Sequence, residues 1–140
     1  MHFEYKIAGG DFSKAGYASS EVKKILKQLN VEQRIIKRIV VALYEGEVNI
    51  VAHAYHGKAI IDITKERVEI YLWDMGPGIE DIPKAMEKGY STASNMVREM
   101  GFGAGMGLNN MENNSDKLDI KSEVGQGTEV RMTINLSNSQ

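Results

Sequence analysis

The order in which the hydrophobic pattern changes period constrains the fold of this chain more than any other feature. Residues 3–7 alternate between apolar and polar side chains, which predicts a first strand. Apolar residues then recur at helical spacing from about residue 15 to 29 and again from about 31 to 55, which predicts two helices. Gly57 stands just beyond the second helix, where a glycine commonly ends one, and we expect it to do so here.

Further along the chain the period becomes two. KAIIDITKERVEIYLWD (58–74) predicts an antiparallel hairpin around Lys65–Glu66, and LDIKSEV and TEVRMTINL predict a closing hairpin around Gly125 and Gly127. A short helix, a glycine-rich loop and a helix over about 106–113 are expected between the hairpins. This order predicts an α+β fold: a two-layer sandwich with three to four helices on one face of a mixed, mostly antiparallel sheet.

Size and composition exclude several classes of function. The chain has 140 residues, which predicts a single domain over 1–140. Nucleic acid is disfavoured as a partner because the net charge is −2 and no basic run is present. The lack of cysteine excludes a disulfide framework, a thiolate zinc site and a cysteine nucleophile. No apolar run is long enough for a membrane segment or a leader, so we expect no membrane partner and a cytoplasmic location.

Glycine is concentrated in one stretch of the chain. Seven of the 14 glycines lie between residues 76 and 107, together with both prolines. Glycine allows another group to approach the backbone closely, and functional residues are often carried by such loops. We therefore expect the functional site to include this stretch.

Asp74 is a polar residue in a position where the pattern requires an apolar one. It continues the core-facing alternation of residues 68–72. A carboxylate at such a position is costly unless it is hydrogen-bonded. Gly76 and Gly78 follow it and allow a ligand to approach. The alternative is that Asp74 caps the helix near Ile82 or braces its turn.

Thr128 repeats this feature in the last strand, in phase with its apolar residues and directly after Gly127. A threonine at the start of a strand is ordinary, however, so the position alone decides nothing. From the pattern alone, an ordinary structural threonine is the favoured interpretation.

Glu45 and Asn49 lie four residues apart on the long predicted helix and therefore share a face, with Ala42 and His53 above and below them. Their small neighbours leave room for a ligand or a metal ion. A solvated helix face with ordinary contacts is the alternative. Gly46 costs about 1 kcal/mol relative to alanine within a helix, so a close approach of another element is a possible reason for it.

The sequence GFGAGMGL (101–108) places glycines at alternate positions before a helix. Backbone N–H groups of such a loop, together with a helix N-terminus, form an anion site. The dinucleotide-binding pattern does not fit, because Met106 and Leu108 stand where its third glycine would fall. The phosphate-binding loop pattern, in which a Gly-Lys pair precedes Ser or Thr, does not fit this sequence either. A merely flexible loop is the alternative.

Together these segments resemble four motifs of the Bergerat-fold ATPases, the superfamily of gyrase, histidine kinases and MutL. The E-x-x-x-N motif is matched by Glu45–Asn49, and D-x-G-x-G by Asp74–Gly78 followed by Ile79. The glycine-rich motif before a helix is matched by Gly101–Leu108, and G-x-G-T by Gly125–Thr128. The resemblance covers nearly the whole chain and implies an ATP-binding domain.

Within the superfamily the chain is most similar to small bacterial members: anti-sigma-factor serine kinases and the related switch kinases. NIVAHAY (49–55) and DMGPGIEDIPKAMEKGYST (74–92) carry this similarity. It implies a serine/threonine kinase that uses ATP and Mg²⁺ to phosphorylate a small antagonist protein. It also implies a sigma factor or other signalling output protein as a second partner, and it allows a homodimer.

Two alternatives to that kinase remain open. The first is a binding module in which ATP closes a lid over residues 88–104 and changes partner affinity without phosphoryl transfer. The second is an unrelated enzyme that uses the glycine loop to bind another phosphate ligand.

The resemblance also assigns roles to individual residues. Glu45 would act as general base on the incoming hydroxyl or orient it, and Asn49 would offer its amide oxygen to Mg²⁺. Asp74 would accept a hydrogen bond from the adenine amino group, and Thr128 would hold that carboxylate or an adenine-bound water. The remaining nucleotide contacts it implies are His53, Gly76, Gly78, Ile79, Gly101, Gly103, Gly105, Met106, Gly107 and Leu108.

The chain departs from the switch-kinase pattern in two places. ASNMVREM (93–100) separates Ser91–Thr92 from the glycines, which predicts a longer lid. Gly46 and Glu47 replace bulkier residues, and Glu47 adds a second acid that could perturb Glu45.

Overall fold

The computed structural model describes residues 1–87 and 107–136. In chain order its elements are strand β1 (His2–Ala8), a 3-10 turn (Phe12–Lys14), helices α1 (Tyr17–Gln28) and α2 (Gln33–His53), strands β2 (His56–Ile63) and β3 (Arg67–Met75), helices α3 (Ile82–Ala85) and α4 (Gly107–Asn113), and strands β4 (Lys117–Glu123) and β5 (Gly127–Asn135). The predicted succession of strands and helices is confirmed. None of the described helices combines the length and the apolar character needed to cross a membrane.

The five strands form one sheet in the order β1-β2-β3-β5-β4, and all four neighbouring pairs are antiparallel. The closing hairpin therefore inserts β5 next to β3, so that these two strands lie at the centre of the sheet. Alternate residues of β2, β3 and β5 are buried, and α1, α2 and α4 cover that face. The predicted α+β sandwich is confirmed.

The core lies between this face of the sheet and the helices. Each fully buried aliphatic side chain in it contributes about 1.5–3 kcal/mol of hydrophobic stabilisation. The largest fully buried side chains are Leu26, Ile39, Leu43, Ile50, Ile61, Ile70, Met111, Met132 and Ile134.

Gly46 lies where α2 packs closely on the sheet. A Cβ atom added there would lie 2.2 Å from Cδ1 of Leu72, a buried residue of β3. The close approach that the sequence suggested is therefore confirmed. Its effect is to seat the middle of α2 directly on the strand that carries Asp74.

The prediction that Gly57 ends the long helix is wrong. The helix ends at His53 with an extended C-cap residue, Ala54, and Gly57 lies inside β2, opposite Asp74. A Cβ atom at position 57 would lie 2.4 Å from the carbonyl oxygen of Trp73. This glycine is required for close packing of two strands, which a sequence pattern cannot distinguish from helix termination.

Glu47 is turned away from Glu45, contrary to the concern that the two acids would interact. Its carboxylate is 2% exposed. It accepts hydrogen bonds from the backbone N–H groups of Gly16, Ala18 and Ser19, at 3.2, 3.0 and 2.9 Å. These groups form the N-terminus of α1, where a negative charge is favourable. Glu47 therefore caps α1 from the middle of α2.

The β4–β5 turn supplies a test of the strand packing. Gly125 and Gly127 both have positive φ, +82° and +138°, but only Gly127 is crowded: its added Cβ would lie 2.1 Å from the Asp74 carbonyl oxygen. We expect Gly125→Ala to lower the free energy of unfolding by about 1–2 kcal/mol, through φ strain alone. Gly127→Ala should cost more than about 3 kcal/mol, because a backbone clash is added. Urea unfolding of both variants measures the difference; equal costs would contradict the packing.

Candidate functional site

A row of polar residues crosses one end of the sheet on the face that elsewhere forms the core. Leu72, Val130 and Ile120 are aligned on β3, β5 and β4. Two residues further along, the aligned positions are Asp74, Thr128 and Ser122. The phase that buries the apolar row thus turns the polar row toward the same side. The predicted proximity of Asp74 and Thr128 is confirmed.

Asp74 is half-buried and incompletely solvated. Burial raises the pKa of its carboxyl to about 6, and a hydrogen bond from the backbone N–H of Thr128 opposes that rise. Asp74 does not cap the helix near Ile82, because Asp81 does: its side chain accepts the backbone N–H of Lys84 at 3.1 Å. A half-buried carboxylate that accepts one backbone N–H can still accept a hydrogen bond from a ligand.

Ser122 connects the parts of this row and was missed in the sequence. Its Oγ accepts the backbone N–H of Ile79 at 2.7 Å and donates to the carbonyl oxygen of Gly127 at 3.0 Å. The Oγ1 atom of Thr128 lies 2.8 Å from the same hydroxyl. Because the single Ser122 proton is used on Gly127, Thr128 donates to Ser122 and keeps its lone pairs for another group.

The turn after β3 is held between two other elements. A Cβ atom on Gly76 would lie 3.0 Å from Cα of Ala54, the residue that follows α2. Gly78 has φ +78°, and an added Cβ would lie 2.4 Å from the carbonyl oxygen of Glu123 at the end of β4. Glycine is needed at position 78 because of its φ and this clash, and a side chain at position 76 would crowd Ala54, so the turn is held close to Asp74 and Ser122.

The second part of the site lies on α2 and α4. Glu45 and Asn49 are both half-buried on α2. A Cβ atom added to Gly107, the first residue of α4, would lie 3.7 Å from Oε2 of Glu45. Nδ2 of Asn110 donates to the same oxygen at 3.0 Å. The side chain of Asn49 makes no hydrogen bond with any residue in the described ranges, so its amide oxygen is available to a ligand.

The remaining predicted site residues divide into three groups. His53 is the last residue of α2, and burial lowers the pKa of its imidazole, which favours the neutral form at pH 7. Leu108 is 9% exposed and part of the core, so only its backbone faces a ligand. The third group lies outside the described residues and consists of Gly101, Gly103, Gly105 and Met106. The 93–100 segment of the expected lid lies outside them as well.

The raised pKa of Asp74 predicts that this site costs stability. A carboxyl whose pKa is higher in the folded state stabilises the fold below its unfolded pKa, and that contribution is lost as the pH rises to about 6. Asp74→Asn cannot ionise and keeps an acceptor for Thr128. We expect the free energy of unfolding of this variant to exceed that of the wild type by about 1–2 kcal/mol at pH 7.5, a value reduced because the side chain is partly exposed.

That gain should largely disappear near pH 4, where the carboxyl of Asp74 in the folded protein is protonated. Urea unfolding from pH 4 to 7.5 measures the difference, with Asp119→Asn, an exposed position on β4, as the control. A constant difference across this range would contradict the burial argument.

Comparison with known sequences gives a match along almost the whole chain. Residues 13–134 match the family described as histidine kinase-like ATPase domain. The anti-sigma F factor of Caldanaerobacter subterraneus subsp. tengcongensis is 35% identical over 122 aligned positions, covering 84% of this chain and 82% of that protein. The anti-sigma F factor of Bacillus subtilis strain 168 is 30% identical, covering 100% of this chain and 94% of that protein.

Comparison with solved structures supports the fold. The mycobacterial sensor histidine kinase MprB superposes with a TM-score of 0.54 at 13% sequence identity, covering 96% of this chain and 97% of that one. At this identity the likeness concerns the arrangement of helices and strands alone.

Proposed function

This chain belongs to the histidine kinase-like ATPase domain family, and from that membership we infer an ATP-binding regulatory protein kinase of the anti-sigma type. The observation that carries the inference is the aligned pair Asp74 and Thr128, because a partly buried carboxylate with one backbone donor suits an adenine amino group. The near full-length similarity to anti-sigma F factors supports the regulatory role.

The polar row would bind the adenine ring. Asp74 would accept a hydrogen bond from the adenine amino group, and Thr128 would offer its remaining lone pairs to the ring or to a bound water. Gly76 and Gly78 carry no side chain next to that position, and Ile79, which is partly buried against the core, would supply an apolar contact. Guanine carries a carbonyl oxygen where adenine carries the amino group, so Asp74 would repel it.

The α2–α4 part of the site would hold the phosphates. Asn49 fits Mg²⁺ as a hard oxygen donor, since this ion keeps several waters and takes its other ligands from phosphates. When bound, Mg²⁺ would neutralise charge on the phosphate oxygens. Gly103, Gly105 and Gly107 would donate backbone N–H groups to them, and His53, Gly101, Met106 and Leu108 would complete the nucleotide contacts.

Glu45 would act on the substrate hydroxyl. Its carboxylate would take the proton of a serine or threonine hydroxyl, or orient that group, while the oxygen attacks the γ-phosphorus and ADP leaves. A small antagonist protein would supply the hydroxyl, and a sigma factor or other signalling output protein would be the second partner, which places the action in the cytoplasm. The protein would act alone or as a homodimer.

Nucleotide specificity tests the adenine assignment. We expect calorimetric titration of the wild type to show saturable binding of ATP with Mg²⁺ and none of GTP. In Asp74→Asn the amide oxygen would accept the hydrogen bond from the Thr128 N–H. The amide NH₂ group would then face the adenine amino group, and two donors cannot form a hydrogen bond. ATP affinity should fall about 10–100-fold.

Asp119→Asn, exposed on β4, is the matched control and should bind like the wild type. Equal affinity in the Asp74 and Asp119 variants would refute the adenine role of Asp74.

Glu45→Gln separates a kinase from an ATP-gated binding module. A kinase should lose at least about 100-fold in transfer of label from γ-labelled ATP to a small antagonist protein encoded beside its gene, with ATP affinity retained. Glu112→Gln, exposed on α4, should keep the wild-type rate. Unchanged signalling with Glu45→Gln, and no transfer by the wild type, would favour the binding module.

A further inference from the structure

Asn110 contacts the proposed base from a separate helix. Its Nδ2 atom lies 3.0 Å from Oε2 of Glu45, although the two residues are 65 positions apart in the sequence. Both side chains are half-buried, so this hydrogen bond is screened less than a fully exposed one. The contact places one defined donor on one defined oxygen of the Glu45 carboxylate.

The helix that carries Asn110 is anchored on both sides of it. Leu108 and Met111 are buried in the core at 9% and 0% exposure. The Asn110 carbonyl accepts from Nδ2 of Asn114 at 2.8 Å, and the Met111 carbonyl accepts from Oγ of Ser115 at 2.8 Å. Anchoring of this kind fixes the donor in space before any ligand binds.

Glu45 and Glu47, both on α2, differ in how many hydrogen bonds their carboxylates can still accept. Glu47 accepts three backbone N–H groups, which use both of its oxygens. Glu45, by contrast, accepts from Asn110 through Oε2, and within the described ranges its Oε1 makes no hydrogen bond. Glu45 thus keeps one oxygen that can take a proton.

A neutral amide is chemically suited to hold a general base. Lysine or arginine would also fix the carboxylate, but their positive charge would favour its ionised form and reduce its affinity for a proton. The amide of asparagine restrains the side chain without adding charge. We propose that Asn110 is a positioning residue for phosphoryl transfer, which holds Glu45 through Oε2 and directs Oε1 toward the substrate hydroxyl; this role rests on the proposed kinase function.

The kinetic test compares Asn110→Ala with Asn113→Ala. Both changes replace asparagine by alanine on α4, but Asn113 is exposed and lies at the end of the helix. At saturating ATP we expect Asn110→Ala to lower kcat about tenfold, the loss expected for one hydrogen bond that orients the base. Its ATP dissociation constant should stay within about twofold of the wild type, and Asn113→Ala should change neither quantity.

Nuclear magnetic resonance tests the contact without any substrate. The side-chain amide signals of Asn110 are identified by their disappearance in Asn110→Ala. They should shift in Glu45→Gln and stay in place in Glu112→Gln, a substitution at an exposed position of the same helix as Asn110. Signals that do not move in Glu45→Gln would overturn the proposal, because the contact would not exist in solution.

The other outcomes are equally decisive. A wild-type rate in Asn110→Ala would overturn the proposal and leave the kinase function intact. A parallel loss of rate and ATP affinity would also overturn it, since α4 would then merely shape the nucleotide site. A wild type that binds ATP but transfers no phosphate would refute the kinase, and with it the base that Asn110 is proposed to hold.

Discussion

The antiparallel pairing of β3 with β5 is the interaction on which both the core and the site depend. It aligns Val68 with Ile134, Ile70 with Met132 and Leu72 with Val130. Side chains alternate across a strand, so the next pair in this series, Asp74 and Thr128, must face the same side. A register shift of one residue would turn the core outward and would move Asp74 to the opposite face of the sheet. The register that buries the core therefore also places the polar row.

Among the described residues, the carboxylates of Glu47 and Asp74 are both withdrawn from water, but their hydrogen bonding differs. Glu47 is almost completely buried, and three backbone N–H groups satisfy it, so it serves the structure by joining α1 to α2. Asp74 has one backbone donor, and burial raises the pKa of its carboxyl. An acceptor that the fold leaves incompletely bonded is destabilising until a ligand supplies the missing donor. This contrast supports the proposed binding role of Asp74 and leaves Glu47 with a structural one.

The strand phases and helix spacings predicted the fold and placed Asp74 and Thr128 each in phase with the apolar residues of its own strand, because these features follow from local periodicity. The contact between the two residues was implied only by the family resemblance, since periodicity does not say which strands pair. Ser122 was missed since a serine on an edge strand looks like an ordinary surface residue until the register of β4 with β5 is known. Asn110 was missed because its partner Glu45 is distant in sequence. Gly57 was misassigned because a helix end and a close strand contact both favour glycine. The phosphate roles of Gly101, Gly103 and Gly105 stay predictions.

One turn of α2 connects all parts of this arrangement. Successive helical residues are rotated by about 100°, so neighbours point in different directions. Glu45 and Asn49 face the site, Gly46 faces β3, and Glu47 faces the N-terminus of α1. A side chain at position 46 would have to displace either Leu72 or the helix, because the added Cβ would lie 2.2 Å from Cδ1 of Leu72.

Displacing the helix would move the proposed base and the proposed Mg²⁺ ligand together, away from the strand that carries Asp74. Gly46 thus leaves room for Leu72 and lets the helix that carries Glu45 and Asn49 pack directly on the strand that carries Asp74. This close packing of α2 on β3 accounts for a glycine at a position where it costs about 1 kcal/mol of helix propensity relative to alanine.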